Sequence, residues 1–392
     1  MEVLKEKYKD RCQDRYVLII LLVISMSLLL LLSSAAEAEV TIGGKVKATL
    51  TGIIAEEDGS DSQLSESLDL ELFIPPVGDT DVKVQFVINN PETRTMSGSS
   101  GRFDFKKLYL KHKFSDFYLT VGRQPISWSF GSLLNPVDFS LGAVALEQES
   151  MGKYQDAVEL YYPFNWNSSL EVIAADTRYG DDFKWALRGR TGISGYDITL
   201  NYIKESASAN PISGILPIGG LIGRGPDGQG VSLDRYGLTA KGDLGPIGAY
   251  TAVGYYDMEG GGDPSYAYLL GGDYSFTYDY NKKITMQLEY LGLQDDAMIK
   301  QLESVSGEDI GRSLDLMMGY VNYPIDDFSS IGLIAVASLD DGSTVLMPVY
   351  ENQLPGNIKL SLRTSIFTGD EWEMLSSQGI NAGYELSLSY TF

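Results

Sequence analysis

Basic side chains recur at even spacing in three stretches of the chain: Lys107, Lys111 and Lys113; Lys184, Arg188 and Arg190; Lys359 and Arg363. Residues two or four apart share one face of an extended strand, so each set can present its charges on one side. Large apolar residues fill the opposite phase: Leu108, Leu110 and Phe114 in the first stretch, Trp185 and Leu187 in the second, Ile358, Leu360 and Leu362 in the third. Carboxylates alternate in the same way at Asp69, Glu71, Glu159, Glu289 and Asp315. Fixed charges of both signs can orient ions and dipolar solutes, or they can neutralise one another in internal ion pairs.

Bond-making chemistry has far less to work with. The single histidine, His112, shares the apolar phase of Leu108 and Leu110, and no serine stands at a recognisable spacing from it. Hydrolases need a general base in a better position than that. The single cysteine, Cys12, falls in a segment expected to be removed. That leaves no thiol nucleophile, thiolate metal site or disulfide framework. The chain is expected not to be an enzyme and to need no metal or cofactor. The glycine-rich run from Gly219 to Gly225 matches neither nucleotide-binding pattern and reads as a loop. Acidic pairs such as Asp58 with Asp61, or Asp295 with Asp296, have the donors that Ca²⁺ or Mg²⁺ takes, but in loops they read as solvated negative surface.

The elements that carry these charges begin after an export signal. Lys5, Lys7, Lys9, Arg11 and Arg15 precede an uncharged run from Tyr16 to Leu32, and Ala36 and Ala38 then supply the small residues that a signal peptidase reads. Residues 1–38 are therefore expected to be a cleaved signal peptide, in preference to a membrane anchor. Its five basic residues cancel its five acidic ones, so residues 39–392 keep the whole formal charge of −23. That excess speaks against nucleic acid as a partner. After Leu32 no stretch approaches the ~18 apolar residues of a membrane helix. If the mature chain lies in a membrane, it must be a barrel, because lipid satisfies no open backbone.

From residue 40 onward the dominant period is two. Tyr384, Leu386, Leu388, Tyr390 and Phe392 alternate with Glu385, Ser387, Ser389 and Thr391, and Leu314, Leu316, Met318 and Tyr320 stand against Asp315. The pattern predicts about eighteen strands, with sixteen as the alternative count. Connections after even-numbered strands are short, as at Ser115 or Gly192-Ile193, whereas several after odd-numbered strands are long, as at 124–155, 205–234 and 293–311. Aromatic residues cluster at the short turns, among them Phe114 with Phe117, Phe164 with Trp166, and Tyr278 with Tyr280. The expected fold is all-β: a transmembrane antiparallel barrel over residues 39–392, with short periplasmic turns, long extracellular loops and aromatic girdles.

Two stretches carry a resemblance. The last strand, with Phe392, Tyr390, Leu388 and Leu386, resembles the C-terminal sorting signal of outer-membrane proteins. The stretch from Tyr118 through Gly122-Arg123-Gln124 to Trp128, continuing to Asn135-Pro136-Val137-Asp138, resembles the strand-to-loop passage of bacterial porins. The resemblance implies that 124–155 is a loop folded into the barrel to constrict it, with Arg123, Asp138, Glu147 and Glu149 as its charges. It also implies an integral outer-membrane protein, surrounded by lipid, folded by the barrel-assembly machinery and passing small hydrophilic solutes or ions; a homotrimer is one assembly it allows. Strict alternation puts Arg123 in the outward set with Leu119 and Val121, so it reaches the lumen only if the strand ends or bulges there. The expected pore lining is Lys107, Lys111, Lys184, Arg188, Arg190, Lys359 and Arg363 facing Asp69, Glu71, Glu289 and the loop acids across the lumen. A structural or adhesive barrel without an open pore and a substrate-specific sugar or oligosaccharide transporter are the competing readings.

Overall fold

The computed structural model describes residues 40–55, 60–89, 103–128, 130, 135–139, 153–176, 183–207, 231–258, 264–280, 282–294, 314–369, 375 and 380–392. The chain divides into two units, Met1–Val40 and Thr41–Phe392. The second unit is built from β1 (Thr41–Ala55), β2 (Ser60–Phe73), β3 (Thr80–Asn89), β4 (Phe103–Lys113), β5 (Tyr118–Pro125) and β6 (Tyr154–Pro163). There follow β7 (Ser168–Asp176), β8 (Phe183–Ile193), β9 (Tyr196–Ala207), β10 (Val231–Leu244), β11 (Ile247–Met258) and β12 (Ser265–Asp279). The circuit ends with β13 (Lys282–Gln294), β14 (Leu314–Pro324), β15 (Ser329–Ser338), β16 (Thr344–Leu354), β17 (Ile358–Thr368) and β18 (Ile380–Thr391). Each strand pairs antiparallel with the next, and β1 pairs with both β2 and β18, which closes an 18-stranded barrel. The higher of the two expected counts is the correct one.

Short turns form where the sequence supplies residues that tolerate positive φ. Between β8 and β9, Ser194 and Gly195 adopt φ of 53° and 85°, which suits a two-residue hairpin between twisted strands. The outer face is an apolar band in which Leu200 is 65% exposed and Leu288 57%. In water each such leucine forgoes about 2 kcal/mol of burial, which lipid restores. The barrel is therefore a membrane-spanning one. Aromatic pairs border the band at the short-turn end, including Phe114–Phe117 at 4.5 Å and Tyr278–Tyr323 at 5.3 Å. A second arc, which the sequence reading did not pick out, borders the other end: Tyr202, Tyr236, Tyr255 and Tyr266 succeed one another across β9 to β12 at 5.1, 5.9 and 5.2 Å.

One phase assignment is reversed. In β14, Leu316 and Met318 are buried inside, while Met317, Val321 and Tyr323 face outward with Asp315. Register decides it, because Gly319 and Val321 lie beside the outward Leu288 and Met286 of β13. Asp315 accepts a 2.6 Å bond from the Tyr290 hydroxyl on that outer face.

The closing seam explains the glycine pair at 43–44. Gly44 N donates to the Phe392 carbonyl and Phe392 N to the Gly44 carbonyl, both at 3.0 Å. A Cβ at Gly44 would lie 2.6 Å from the Asp69 carbonyl oxygen and 2.9 Å from the Phe392 ring. Gly44→Val is therefore expected to destabilise closure by about 1–3 kcal/mol, the usual cost of overpacking. Urea unfolding followed by the mobility of the unheated barrel in SDS gels checks this; an unchanged midpoint would refute it.

Candidate functional site: the lumen and its inward segment

The face bearing Lys184, Arg188 and Arg235 lies opposite the apolar band and is the lumen wall. Against it lies the segment that follows β5. Gly122 opens the departure, with φ of 118° and no room for a Cβ against the Leu108 carbonyl. Ile126 and Trp128 then turn inward and are buried, as are Asn135, Val137, Asp138 and Phe139. The chain here runs along the inner wall past β8, β9, β10 and β11.

Its fastening is ionic and dry. Asp138 Oδ1 accepts from the backbone N–H of Trp128 and of Phe139, both at 2.7 Å, which curls the segment on itself. Arg235 of β10, 3% exposed, donates from Nη1 to the Asp138 carbonyl and from Nη2 to the Phe139 carbonyl, each at 2.8 Å. Its Nε pairs with Glu205 of β9 at 2.8 Å, and Lys184 of β8 pairs with the same carboxylate at 2.7 Å. Lys184 also donates to the Phe139 carbonyl and lies 4.2 Å from the centre of that ring. One carboxylate thus neutralises two buried cations, and both cations hold the segment's backbone. Farther along, Tyr256 of β11 donates to the Pro136 carbonyl at 2.5 Å, and Phe130 meets Tyr250 edge-on at 5.5 Å.

This packing makes the inner wall two-sided. At mid-height and above, the inward residues of β8 to β16 are buried or half-buried, with Ala186, Ile203, Ala252, Leu269, Met318 and Ile334 among the buried ones. Leu375, between β17 and β18, joins that apolar cluster, and its N–H donates to Ser343 Oγ at 3.1 Å. Across the barrel, the inner faces of β17, β1, β2 and β4 carry exposed Arg363, Lys359, Thr51, Gln63, Lys111 and Lys113. At mid-height and above, the hydrated wall is thus on one side, whereas toward the short turns β8, β10 and β13 also carry exposed Arg190, Lys241 and Lys283.

The expected site residues divide accordingly. Lys107 pairs with Glu71 at 3.4 Å and Lys359 with Glu351 at 2.8 Å, both on the hydrated side, where Lys111 and Arg363 are also exposed. Arg190 forms a two-pronged pair with Asp197, and Arg188 lies 4.0 Å from Glu171 and 5.5 Å from the Trp128 ring, whose Nε1 donates to Glu171. Lys184 and Asp138 belong to the buried fastening and not to a water-lined surface. Glu289 is 1% exposed, accepting from the Tyr250 hydroxyl and from Gln287 at 2.7 Å, so it too is a packed group. These pairs join nearby strands on the same stretch of wall, which is local neutralisation; they do not face one another across the lumen. Glu147 and Glu149 of the loop, and Ala36 and Ala38 at the expected cleavage site, lie outside the described residues.

Arg123 is on the outer face. It stands in register with the outward Asp156 and pairs with it at 3.0 Å, and its Nε donates to the Phe105 carbonyl. That carbonyl belongs to a bulge the sequence reading missed. Pairing jumps from Gln85–Lys107 to Phe86–Phe105, so Lys106 and Lys107 both turn inward. Lys106 then reaches Asp69 of β2 at 2.7 Å, across β3, whose Gln85 donates to the same carboxylate at 2.8 Å. The clue was present: the apolar phase slips from Phe103 and Phe105 to Leu108 and Leu110. Tyr390 and Phe392 point outward at the closing seam, stacked at 6.1 Å.

Solved structures with similar architecture are outer-membrane proteins. OccAB3 of Acinetobacter baumannii superposes with a TM-score of 0.53 at 13% identity, covering 90% of this chain and 99% of that one. A BenF-like porin from Pseudomonas fluorescens gives 0.54 at 11%, covering 90% and 98%. Wzi of Escherichia coli, an outer-membrane protein involved in group 1 capsule assembly and described as a carbohydrate-binding β-barrel, gives 0.59 at 13%, covering 92% and 86%. These likenesses establish the fold. It is that of bacterial outer-membrane barrels. No family model matches the chain, and no curated protein does.

Proposed function

We propose that the chain is a porin-like channel of a bacterial outer membrane, passing small hydrophilic solutes or ions by diffusion. The observation that carries this is the two-sided inner wall. A barrel closed by side-chain packing buries its inner face all the way round, whereas here charged and hydroxyl side chains of β17, β1, β2 and β4 stay exposed inside. The segment 124–155 acts as the constriction, and residues 1–38 direct export and are removed. Outer-membrane lipid contacts the apolar band, the barrel-assembly machinery reads Tyr390 and Phe392, and a homotrimer is compatible with this reading. An enzymatic role lacks its base: His112 lies in the outward phase, its Nδ1 2.8 Å from the Thr80 hydroxyl and its ring 4.5 Å from that of Phe114.

Single-channel recording of the detergent-purified mature protein in a planar bilayer tests the proposal. Stable ohmic steps are expected. Persistent silence from protein whose barrel mobility in unheated SDS gels proves it folded would sink the channel reading in favour of a closed scaffold.

A further inference from the structure

We infer that the lumen holds a subsite for small zwitterions, such as a free α-amino acid, between Lys111 of β4 and Glu159 of β6. The inference rests on the channel reading above and names the solute class that the channel favours. Lys111, Thr120 and Glu159 stand in register on three successive strands, all in the inward phase. Two inter-strand steps put the backbones of the outer two about 9–10 Å apart. Thr120 between them has a short side chain. Lys111 is exposed and Glu159 half-buried.

Most charges around them are neutralised locally: Asp69 by Lys106, Glu71 by Lys107 and Asp81 by Lys83. Glu171, one strand beyond Glu159, accepts from Trp128 Nε1 at 3.0 Å and lies 4.0 Å from Arg188. Lys111 and Glu159 form no ion pair, with each other or with any other described residue. Lys111 instead rests 5.1 Å from the centre of the Tyr118 ring, which lies 6.0 Å from that of Tyr161. Lys113, also without an ion pair, lies nearer the turn, in register with Tyr118.

An ammonium and a carboxylate that face one interval without meeting suit a solute that carries both charges. A carboxylate reaching Lys111 and an ammonium reaching Glu159 each gain a charge-assisted hydrogen bond. In an α-amino acid the two groups sit on one carbon, and the long lysine side chain can adjust the interval to them. A neutral solute gains neither contact, and a singly charged one is drawn by one group and repelled by the other. The position is on the path: Ile173, the β7 partner of Glu159, packs with Ile126, Trp128 and Phe139 of the inward segment. A solute that follows the hydrated wall of β4 past the segment therefore meets both charges together. Attraction that is strong enough to admit the solute and weak enough to release it raises flux.

Efflux of labelled solutes from liposomes that carry the mature protein tests this, with protein-free liposomes as the blank. L-alanine, lactamide, lactate and alaninamide are close in size and differ in charge. Alanine is expected to leave several-fold faster than the other three. Lys111→Gln and Glu159→Gln are each expected to abolish that lead and to reorder the ions in opposite directions: Lys111→Gln favours alaninamide over lactate, and Glu159→Gln favours lactate over alaninamide. A merely structural role for either residue would not produce the crossing. Wild-type protein that passes alanine no faster than lactamide would overturn the inference, as would folded variants that keep the lead or move the two ions in the same direction. The wild-type comparison stands even if the variants do not fold. A folded wild type that passes none of the four would instead refute the channel reading beneath it, so the two failures are told apart.

Discussion

Arg235→Ala is expected to give channels that conduct more and flicker more than the wild type, with the barrel still closed. The guanidinium holds the inward segment by two backbone carbonyls and shares Glu205 with Lys184. Its removal leaves the Asp138 carbonyl without this donor and the Phe139 carbonyl with Lys184 alone, and takes one of two cations from a buried carboxylate. Lys184 still neutralises Glu205, so no charge is stranded, and the cost is that of the lost charged hydrogen bonds, about 1.5–3 kcal/mol each. That cost falls on the segment's docking, since the closed strand ladder does not depend on it. With the segment loosened, the space it fills against β8 to β11 joins the aqueous path. Arg235→Lys is expected to rescue only in part, as an ammonium cannot reach two carbonyls and Glu205 in the geometry of a planar fork. Single-channel amplitude and open-state noise are the measurements. Wild-type amplitude from folded Arg235→Ala protein would show that the segment does not limit the conducting path.

The barrel was legible in the sequence because lipid imposes one rule on every strand: apolar outward, with short turns at one end and long connections at the other. The rule fails where the interior is also apolar. In β14 both phases are apolar, so alternation does not say whether Leu316 and Met318 or Met317 and Val321 meet lipid, and the register with β13 is needed to decide. Even-phase bookkeeping also fails at a bulge, which is why Lys106 was passed over although the slip beside Phe105 was visible. Spacing identified Lys184 as inward but not what it touches. Its role, like that of Arg235, depends on a carbonyl 96 residues away along the chain from Arg235, a proximity that no local pattern encodes. Asp138 was noticed for its charge and proves to be a backbone organiser, because a buried carboxylate is out of reach of ions in the lumen and accepts two N–H groups instead.

If the hydrated path hugs one wall, a thiol placed on that wall should close the channel when modified, and a thiol on the packed wall should not. Thr51→Cys on β1 puts a sulfur among exposed groups at the level of the inward segment. Ala186→Cys on β8 and Ala252→Cys on β11 put it at sites that are 4% and 0% exposed. The background is favourable, since Cys12 is the only native cysteine and lies within residues 1–38, which the export reading removes. A bulky charged methanethiosulfonate is expected to cut the conductance of Thr51→Cys by most of its value within minutes and to leave both alanine-site variants unchanged. The contrast depends on access and not on thiol acidity, because thiols of ordinary pKa react when solvent reaches them and stay inert when packed in apolar surroundings. Combining Ala186→Cys with Arg235→Ala links this to the first result: releasing the fastening uncovers the β8 wall, so that thiol should become reactive. Equal block at Thr51 and Ala186 in the otherwise unaltered barrel would mean that water reaches both walls and that the inward segment does not divide the lumen.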